Sequence, residues 1–415
     1  MRFKSRHLKE AIDKKFASRF GRIVVITGAR QTGKTTFVRQ LFPDLPYLSI
    51  EDPVSVDAYR QLSASEWYKF YPRAVLDEIQ KEPQLVESIK SVYDQYSDAA
   101  YLILGSSQIL LQKKVRESLA GRCHLVEMFP LTLPEMLTKR WDDVVDLSWF
   151  QKLLIERETD RKPFNLLSDH AERRKCYNDY LSYGGYPAIT DDRVTDKEKQ
   201  EWLRNYVKTY LERDIRDLAE LRYLEPFVKV QKLIAIHTAQ LVNHSQIAAD
   251  AGVSGKTVQR FIQYMGMSYQ TLLLPSWSRN TKKRLVKSPK IHFLDIGVMR
   301  SVLNKQGEPD GHQFESAIVA ELYKQCRTLQ LDLPFYHLRT SDGREVDLLI
   351  EKPNGYIAIE VKVSKHVRKT DARHLRNIED ILDKPVLNRI VLSNDLKTRV
   401  LEDNVMAIPA VQFLT

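Results

Sequence analysis

Residues 28–35 have the composition and spacing of a loop that binds phosphate. The segment reads Gly-Ala-Arg-Gln-Thr-Gly-Lys-Thr and matches G-x-x-x-x-G-K-[ST] at every fixed position. Its glycines let backbone N–H groups curl around phosphate oxygens, and a helix N-terminus after the loop adds favourable dipole charge. Lys34 is expected to reach the β- and γ-phosphates, and the Thr35 hydroxyl to sit on Mg²⁺. The predicted nucleotide-binding residues are Gly28, Ala29, Arg30, Gln31, Thr32, Gly33, Lys34, Thr35 and Thr36.

Two acidic residues, Asp77 and Glu78, follow a second apolar run. An acidic residue at the end of a buried strand is costly unless a cation or hydrogen-bond donors offset its charge, and Mg²⁺ bound at Asp77 would do so. Glu78 is placed to polarise the attacking water. Together with the loop, these carboxylates predict hydrolysis of ATP with Mg²⁺, in which Lys34 and Glu78 are catalytic and Thr35 and Asp77 hold the metal.

Two further side chains are candidates for the same site. Ser107 follows a third apolar run, and it either orients the lytic water and senses the γ-phosphate or caps the next helix. Arg122 either reaches the γ-phosphate of a neighbouring subunit or forms a surface salt bridge. The sequence leaves both pairs of alternatives open.

Short β-branched runs must position these residues. Residues 22–27, 73–76 and 101–104 are apolar, and helix-like stretches separate them. Runs with no polar face are typical of central strands in a parallel sheet, whose functional residues lie at the carboxyl ends of the strands. The fold class predicted is therefore α/β, with a P-loop ATPase core over residues 1–140.

Beyond residue 140 the sequence pattern changes three times. Residues 141–225 are helical and charged, and residues 226–305 combine short helices with a stretch rich in Lys and Arg. Residues 306–415 open with a long helix, and two alternating strands joined by a Pro-Asn-Gly turn follow. We therefore place domain boundaries near residues 140, 225 and 305.

Residues 244–260 have the layout of a helix-turn-helix. Ala248 is small where the helices would cross, Gly252 makes the turn, and Ser254 is placed to cap the second helix. That element either contacts DNA phosphates or serves as a packing and oligomerisation module. The predicted DNA-binding residues are Lys256, Gln259, Arg260, Lys282, Lys283 and Arg284. A basic wing is predicted from Arg279, Lys282, Lys283, Arg284, Lys287 and Lys290.

A group of carboxylates near the C-terminus has the composition of a second metal site. Period-two alternation places Glu360 and Lys362 on one face of a strand, Asp347 lies on the preceding strand, and Glu315 lies on a helix upstream. Carboxylates with a Lys are what Mg²⁺-dependent phosphodiester hydrolysis needs. The arrangement is similar to the PD-(D/E)xK nuclease core, with Val346 in place of the usual Pro. It indicates either an active nuclease or a degenerate fold kept for DNA binding or docking.

Seven segments together resemble a large prokaryotic family. They are Gly28–Thr36, Leu76–Gln80, Gly105–Ser107, Ser118–Arg122, Phe129–Glu135, Tyr183–Pro187 and Tyr210–Asp214. The family comprises AAA-type P-loop ATPases with a C-terminal domain of unknown function, and the resemblance covers essentially the whole chain. It implies an AAA-type core, a helical lid, a winged helix-turn-helix and a C-terminal α/β domain with a PD-(D/E)xK nuclease-like fold.

Composition narrows the class of protein. A chain of 415 residues with 43% hydrophobic and 28% charged residues is ordinary for a globular protein. The excess of 64 Lys and Arg over 54 Asp and Glu permits an anionic partner without requiring one. Three widely spaced cysteines argue against a disulfide framework or a zinc site. The N-terminus lacks a signal peptide and the apolar runs are too short for a membrane span, so we expect a cytoplasmic protein.

These observations predict an ATP-hydrolysing AAA-type protein that acts as a homo-oligomer, expected to form a ring, on duplex or branched DNA. It would remodel the DNA or translocate along it. One alternative is a regulatory switch whose nucleotide state controls assembly with a protein partner. Another is an ATP-dependent nuclease that requires Mg²⁺.

Overall fold

In the computed structural model, the chain has two large sheets, a small three-stranded sheet and helices packed between them. The described residues are 3–18, 21–105, 118–155, 169–211 and 223–415. Ser106 and Ser107 lie outside these ranges, as does the part of the 210–214 segment beyond residue 211. Among the described helices, none combines the length and the apolar character needed to cross a membrane.

A five-stranded parallel sheet forms the N-terminal core. Its strands are β1 (Ile23–Thr27), β2 (Tyr47–Ser49), β3 (Arg73–Asp77), β4 (Ala100–Gly105) and β5 (Cys123–Glu127), in the order β2-β3-β4-β1-β5. The three apolar runs of the sequence are β1, β3 and β4, and every residue of β1 and β4 is buried. The sequence analysis missed β2, which has three residues, and β5, whose exposure is mixed because it lies at the sheet edge.

Helices cover this sheet, and two of them begin at residues whose side chains accept free N–H groups of the first turn. The helices are α1 (Leu8–Phe16), α2 (Lys34–Leu41), α3 (Pro53–Arg60), α4 (Ala64–Phe70) and α5 (Pro83–Gln95). The Asp52 side chain caps α3, and Ser63 forms a capping box with Glu66 at α4. In α5 the buried residues recur at helical spacing, so that one face packs on the sheet.

The central part of the chain is helical. It contains α6 (Leu133–Leu137), α7 (Trp149–Ile155), α8 (His170–Tyr183), α9 (Asp196–Tyr206), a π-helical turn (Val207–Leu211) and α10 (Glu225–Ile236). One hydrophobic cluster runs from Leu131 through these helices to Leu414. The predicted boundaries near residues 225 and 305 therefore do not divide the buried core, although they remain predictions of how the chain is organised.

Four helices and three short strands follow one another between residues 225 and 293. After α10 come β6 (Gln240–Leu241), α11 (His244–Ala251), α12 (Gly255–Met267), β7 (Thr271–Leu274), α13 (Thr281–Val286) and β8 (Lys290–Phe293). The strands are antiparallel in the order β6-β8-β7. Gly252 ends α11 at φ 71°, and the Ser254 hydroxyl accepts the Thr257 N–H at the start of α12.

The C-terminal part is built on a six-stranded mixed sheet. It comprises α14 (Ile296–Leu303), α15 (Gly311–Thr328), β9 (Phe335–Arg339), β10 (Glu345–Lys352), β11 (Gly355–Lys362), β12 (Val386–Ser393), β13 (Arg399–Val400), β14 (Val405–Pro409) and α16 (Ala410–Leu414). The strand order is β13-β14-β12-β11-β10-β9, and β10 and β11 form the predicted hairpin. Most of α15 is buried because it packs between this sheet and the central helices.

Two glycines let α14 approach the end of α8 closely. A Cβ at Gly297 would lie 1.8 Å from the Tyr183 carbonyl oxygen, and a Cβ at Gly184 would lie 2.1 Å from Asp295 Oδ1. Gly184 also has φ 81°, which L side chains rarely adopt. The Tyr183-Gly-Gly-Tyr-Pro187 segment of the sequence is therefore a packing turn against α14.

We expect Gly297→Ala to lower the free energy of unfolding by about 3 kcal/mol, because the added methyl group must push the Tyr183 backbone away. The matched control is Gly266→Ala, since nothing lies within 4 Å of a Cβ at that helical position. The control should be neutral or stabilising by about 0.5–1 kcal/mol. Urea unfolding of both variants tests this, and equal stabilities would contradict the close packing of α14 on α8.

Candidate functional site

The phosphate-binding loop joins β1 to α2 in a conformation that depends on its glycines. Gly28 has φ 155° and Gly33 has φ 89°, and a Cβ at Gly28 would lie 2.1 Å from the Met128 carbonyl oxygen. Gln31 also has a positive φ of 63°. The loop therefore turns its backbone back on itself before α2 begins at Lys34, and the α2 N-terminus faces the loop.

Lys34 lies inside the loop rather than in solvent. Its side-chain ammonium donates to the carbonyl oxygens of Gly28 and Ala29, each at 2.8 Å, and the residue is only 8% exposed. Its positive charge is thus held beside the N–H groups of the loop. A cation and a helix N-terminus in one concave loop are the groups that bind an anion such as phosphate.

Thr35 and Asp77 meet at the carboxyl edge of the sheet. The Thr35 hydroxyl donates to Asp77 Oδ2 at 2.9 Å, and the Tyr47 hydroxyl donates to the same oxygen. Burial, and then the bond to Asp77, raise the pKa of Tyr47, so its hydroxyl remains a donor. A hydroxyl and a carboxylate are oxygen ligands that Mg²⁺ accepts beside phosphate oxygens, so these residues fit the predicted cation.

Glu78 follows directly in a backbone conformation that is uncommon for a residue with a side chain. Its φ is 60°, and its N–H donates to the Leu104 carbonyl oxygen of β4 at 3.0 Å. Non-glycine residues in this region cluster at functional sites because the surrounding structure must hold them there. Here the neighbouring strand holds Glu78 at the edge that carries Asp77.

A cleft of about 380 Å³ lies over these groups. It is lined by the loop, Asp77 and Glu78, and also by Arg6, Trp141 and Pro187. Sequence reasoning missed the last three because they come from distant segments. Pro187 does belong to the Tyr183–Pro187 motif, which the sequence had singled out. Its Cγ lies 4.0 Å from the position of a Cβ at Gly33, so it lies close to the loop.

Arg6 supports the loop from the N-terminal segment. Its guanidinium donates to the Thr32 carbonyl oxygen at 2.6 Å, to the Phe129 carbonyl oxygen at 2.9 Å and to Glu135 Oε2 at 3.2 Å. Both Arg6 and Glu135 are buried, so each offsets the desolvation of the other. The arrangement attaches residues near the N-terminus and α6 to the same loop.

Ser107 and Arg122 were the two further candidates for the ATP site. Ser107 lies outside the described residues. Arg122 does not line the cleft of its own chain, because its guanidinium forms a two-bond pair with Asp94 on α5, at 2.7 and 3.0 Å. This is the surface salt bridge that the sequence left as one alternative, and the role toward a neighbouring subunit stays a proposal.

Part of the predicted DNA-binding surface is exposed and part is not. Lys256, Gln259 and Arg260 are exposed on α12, opposite its buried face, and Lys282 is also exposed. Arg284 requires a correction, since it turns toward the C-terminal domain, where it lies 3.6 Å from both Glu351 and Asp383. The described residues do not include the side chain of Lys283.

Lys290, predicted in the basic wing, is buried among the C-terminal carboxylates. Its ammonium lies 2.9 Å from Glu315, 3.3 Å from Asp347 and 2.6 Å from Glu345. The residue is 3% exposed. The correction has a physical reason: a carboxylate cluster this deep needs a cation nearby, and the start of β8 supplies it.

The predicted metal ligands of the C-terminal part lie together around one cleft. Glu315, Asp347, Glu360 and Lys362 line one cleft of about 550 Å³ together with Lys290. The Lys362 ammonium donates to Glu360 Oε1 at 2.6 Å. Within the described part of the chain, no group of three or more His, Cys, Asp or Glu side chains is arranged to hold a metal ion. Two ammonium groups supply positive charge there.

Burial and mutual repulsion shift the ionisation of these carboxylates. For Glu315 and Glu360, burial and then the charge of Asp347 raise the pKa to about 8, although Lys290 and Lys362 act in the opposite direction. For Lys290, burial favours the neutral form, but the surrounding carboxylates outweigh it and raise the pKa. The Lys290 ammonium therefore stays charged, while Glu315 and Glu360 keep their protons to a higher pH than free glutamate does.

Three family descriptions match separate parts of the chain. Residues 21–137 match an AAA domain. Residues 174–308 match a domain of unknown function (DUF8612), and residues 310–413 match another (DUF4143). The phosphate-binding loop and Asp77–Glu78 all lie within the first match. This part of the chain is therefore an AAA-type P-loop domain.

Relatives of low identity match most of the chain. An uncharacterized protein of Mycobacterium tuberculosis is 25% identical over 403 residues, which are 95% of this chain and 81% of the relative. An uncharacterized protein of Methanocaldococcus jannaschii is 25% identical over 394 residues, 90% of this chain and 82% of the relative. Among solved structures, the Walker-type ATPase of Pyrococcus abyssi has a TM-score of 0.48 and 13% identity, covering 74% of this chain and 99% of that one.

The carboxylate cluster predicts a loss of stability as the pH rises from 6.5 to 8. In this window Glu315 and Glu360 bind protons in the folded state, since their pKa is about 8, but not in the unfolded chain, where it is 4.5. The folded state therefore binds more protons, and stability should fall by up to about 1.4 kcal/mol per pH unit for each proton. Burial lowers the pKa of His7, His292, His337 and His374, and these groups act in the opposite direction. Their effect fades about one pH unit above the unfolded-state value of 6.5, so the fall in stability should be steepest between about pH 7 and 8.

Urea unfolding at half-unit steps of pH measures the effect. Glu360→Gln should flatten the slope between pH 6.5 and 8, because it removes one of the two groups. Glu201→Gln, at an exposed position on α9, should follow the unmodified protein. A stability that is constant or rises with pH in this window would contradict the raised pKa values.

Proposed function

We propose that this protein hydrolyses ATP and acts as a homo-oligomer on duplex or branched DNA, as a remodeller or translocating motor. The observation that carries the ATPase assignment is the bond between Thr35 at the start of α2 and Asp77 at the end of β3. This contact supports the assignment because it brings together, beside Glu78 and the phosphate-binding loop, a hydroxyl and a carboxylate that would bind Mg²⁺. The AAA domain match over residues 21–137 supports the same assignment.

Each residue of the site has a role in this proposal. The loop N–H groups and the Lys34 ammonium bind the phosphates, and Thr35 and Asp77 hold Mg²⁺. The bound metal ion neutralises charge on the phosphate oxygens. The Glu78 carboxylate, at the same edge, orients the attacking water and accepts its proton. Tyr47 holds Asp77 in place through its hydroxyl.

Oligomerisation is proposed from Arg122. In its own chain this guanidinium does not line the cleft and its side chain is 33% exposed, with a surface pair to Asp94 and a bond to the Ala120 carbonyl oxygen. Such a pair is weak enough to exchange, so Arg122 is available to the phosphates of a neighbouring subunit. Ser107 is retained as a proposed sensor on the strength of its sequence position alone.

DNA contact is proposed from the segment between residues 225 and 293. Its four helices and three antiparallel strands support a winged helix-turn-helix, with α12 as the proposed recognition helix and α13 as an additional helix before β8. Lys256, Gln259 and Arg260 share the exposed face of α12, where they would contact phosphates together with Lys282 and Lys283. Arg284 and Lys290 are not part of this surface.

Different observations bear on the two alternative functions, the protein-binding switch and the nuclease. A nucleotide-controlled switch that binds a protein partner is favoured by the wing, because Arg284 and Arg279 bond to the C-terminal domain. The hairpin of β10 and β11 is consistent with a PD-(D/E)xK nuclease-like fold. However, the Lys290 ammonium lies between the carboxylates that would bind the metal, so we propose a docking role for this domain rather than DNA cleavage.

The ATPase proposal is tested by ATP turnover with and without duplex, single-stranded and four-way junction DNA. We expect one DNA form to stimulate turnover, and Glu78→Gln to reduce turnover at least about 100-fold because it removes the general base. Glu201→Gln, an exposed change of the same type, should have no effect. Turnover that no DNA alters, with no DNA retained at low salt, would leave the protein-partner switch as the better proposal.

The DNA surface is tested by the salt dependence of binding. Lys256→Ala and Arg260→Ala should each weaken binding and reduce the slope of log K against log salt by about 0.9, since each removes one phosphate contact. Lys152→Ala, at an exposed position on α7, is the control and should leave the slope unchanged. If all three variants bind alike, α12 is not the contacting helix.

A further inference from the structure

A second large cavity lies away from the nucleotide cleft, where α8, α9 and α14 meet the loop 304–309 and residues that follow β11. Its volume is about 820 Å³, within the usual range for small-molecule sites. It shares no lining residue with the cleft over the phosphate-binding loop. The cavity is therefore a separate place where a ligand could bind.

The walls of this cavity are strongly cationic. The positively charged lining residues are Arg174, Arg204, Arg300, Lys305 and Lys365. Within the described part of the chain, Glu308 is the one acidic residue that lines it. Glu308 lies 3.6 Å from Lys365, and Lys305 lies 3.5 Å from Asp310, so these two lysines are partly neutralised. The three arginines form no ion pair with any described residue, which leaves their charge for a ligand.

Arg300 is the buried member of this group. It is only 6% exposed, and its Nη2 donates to the Gly307 carbonyl oxygen, which holds the side chain in place. Its Nη1 is buried and has no hydrogen-bond partner among the described residues, and the same holds for Nη1 of Arg174 and Oγ of Ser301. A buried guanidinium N–H without a partner costs free energy, which an anionic ligand in the cavity would recover.

We propose that this cavity binds a small phosphorylated molecule, with Arg300 as the buried anchor and Arg174 and Arg204 as the outer contacts. Phosphate is favoured because guanidinium groups bind its oxygens with paired, charge-assisted hydrogen bonds. A small molecule is favoured over a nucleic-acid strand because the anchoring Arg300 is buried in a concave site. DNA phosphates are expected instead on the exposed face of α12.

Local structure explains why the site is formed before any ligand arrives. Gly297 lets α14 pack on the Tyr183 backbone, so that Arg300, one helical turn further on, lies beside α8. The loop after α14 turns back at Asn304, with φ 51°, and Gly307, with φ 91°, and brings its carbonyl oxygen to Arg300. The position of the anchor is thus set by helix packing and by the loop.

The experiment is calorimetric titration of inorganic pyrophosphate into the full chain carrying Lys34→Ala, which weakens the phosphate-binding loop as a competing site. We expect binding that Arg300→Met weakens at least about 10-fold, because it removes charge-assisted hydrogen bonds. Arg204→Ala should weaken binding about 3-fold or more, and because Arg204 is exposed the variant should fold as the unmodified protein does. Lys197→Ala, exposed on the same helix but outside the cavity lining, is the matched control and should bind as before.

Amide hydrogen exchange with pyrophosphate then locates the site. Protection of peptides from residues 174–204 and 297–307 supports the proposal. Absence of binding to the Lys34→Ala protein, or binding that Arg300→Met and Arg204→Ala leave unchanged, overturns it. Binding of a short single-stranded oligonucleotide but not of pyrophosphate, weakened by the same two variants, would overturn the small-molecule assignment. None of these outcomes depends on ATP hydrolysis or on action at DNA.

Discussion

The Asp295 carboxylate makes the contact on which the relative positions of the sites depend. It is buried, it caps α14 by accepting the Val298 N–H at 3.0 Å, and it accepts the Gly185 N–H at 2.8 Å. One charged group thus ends a helix and fixes the turn after α8. Pro187 of that turn lines the nucleotide cleft, and Tyr183 lines the cationic cavity. A displacement of Asp295 would therefore move residues that line both sites.

Helix α9 provides a second connection between the same two regions. Its last residue, Tyr206, donates through its hydroxyl to the Arg30 carbonyl oxygen of the phosphate-binding loop at 3.2 Å, and it also shares a hydrogen bond with the Tyr186 hydroxyl. Arg204, two residues earlier, lines the cationic cavity. The central helices are therefore attached to the loop by polar contacts of specific geometry as well as by apolar packing.

Buried charge is a recurring constraint in this fold, and in three instances a partner of opposite sign offsets it. Arg6 faces Glu135, Lys324 lies 2.9 Å from Glu321 within α15, and Lys290 lies among the C-terminal carboxylates. Desolvation makes an isolated buried charge very costly, so these groups must be placed together. At the C-terminal cluster the ammonium of Lys290 lies among carboxylates of α15 and β10 and offsets part of their charge.

The sequence by itself determined the features that depend on local patterns. The glycine spacing of the phosphate-binding loop, the apolar runs of β1, β3 and β4, the caps of α11 and α12 and the β10–β11 hairpin were all predictable, because neighbouring residues specify them. Tertiary structure alone decided which distant groups meet. Arg6 at the loop, Lys290 among the carboxylates, the inward turn of Arg284 and the cationic cavity all join segments far apart in the chain. Their positions follow from packing and from the need to offset buried charge. Neither can be read from the residues that neighbour them in the sequence.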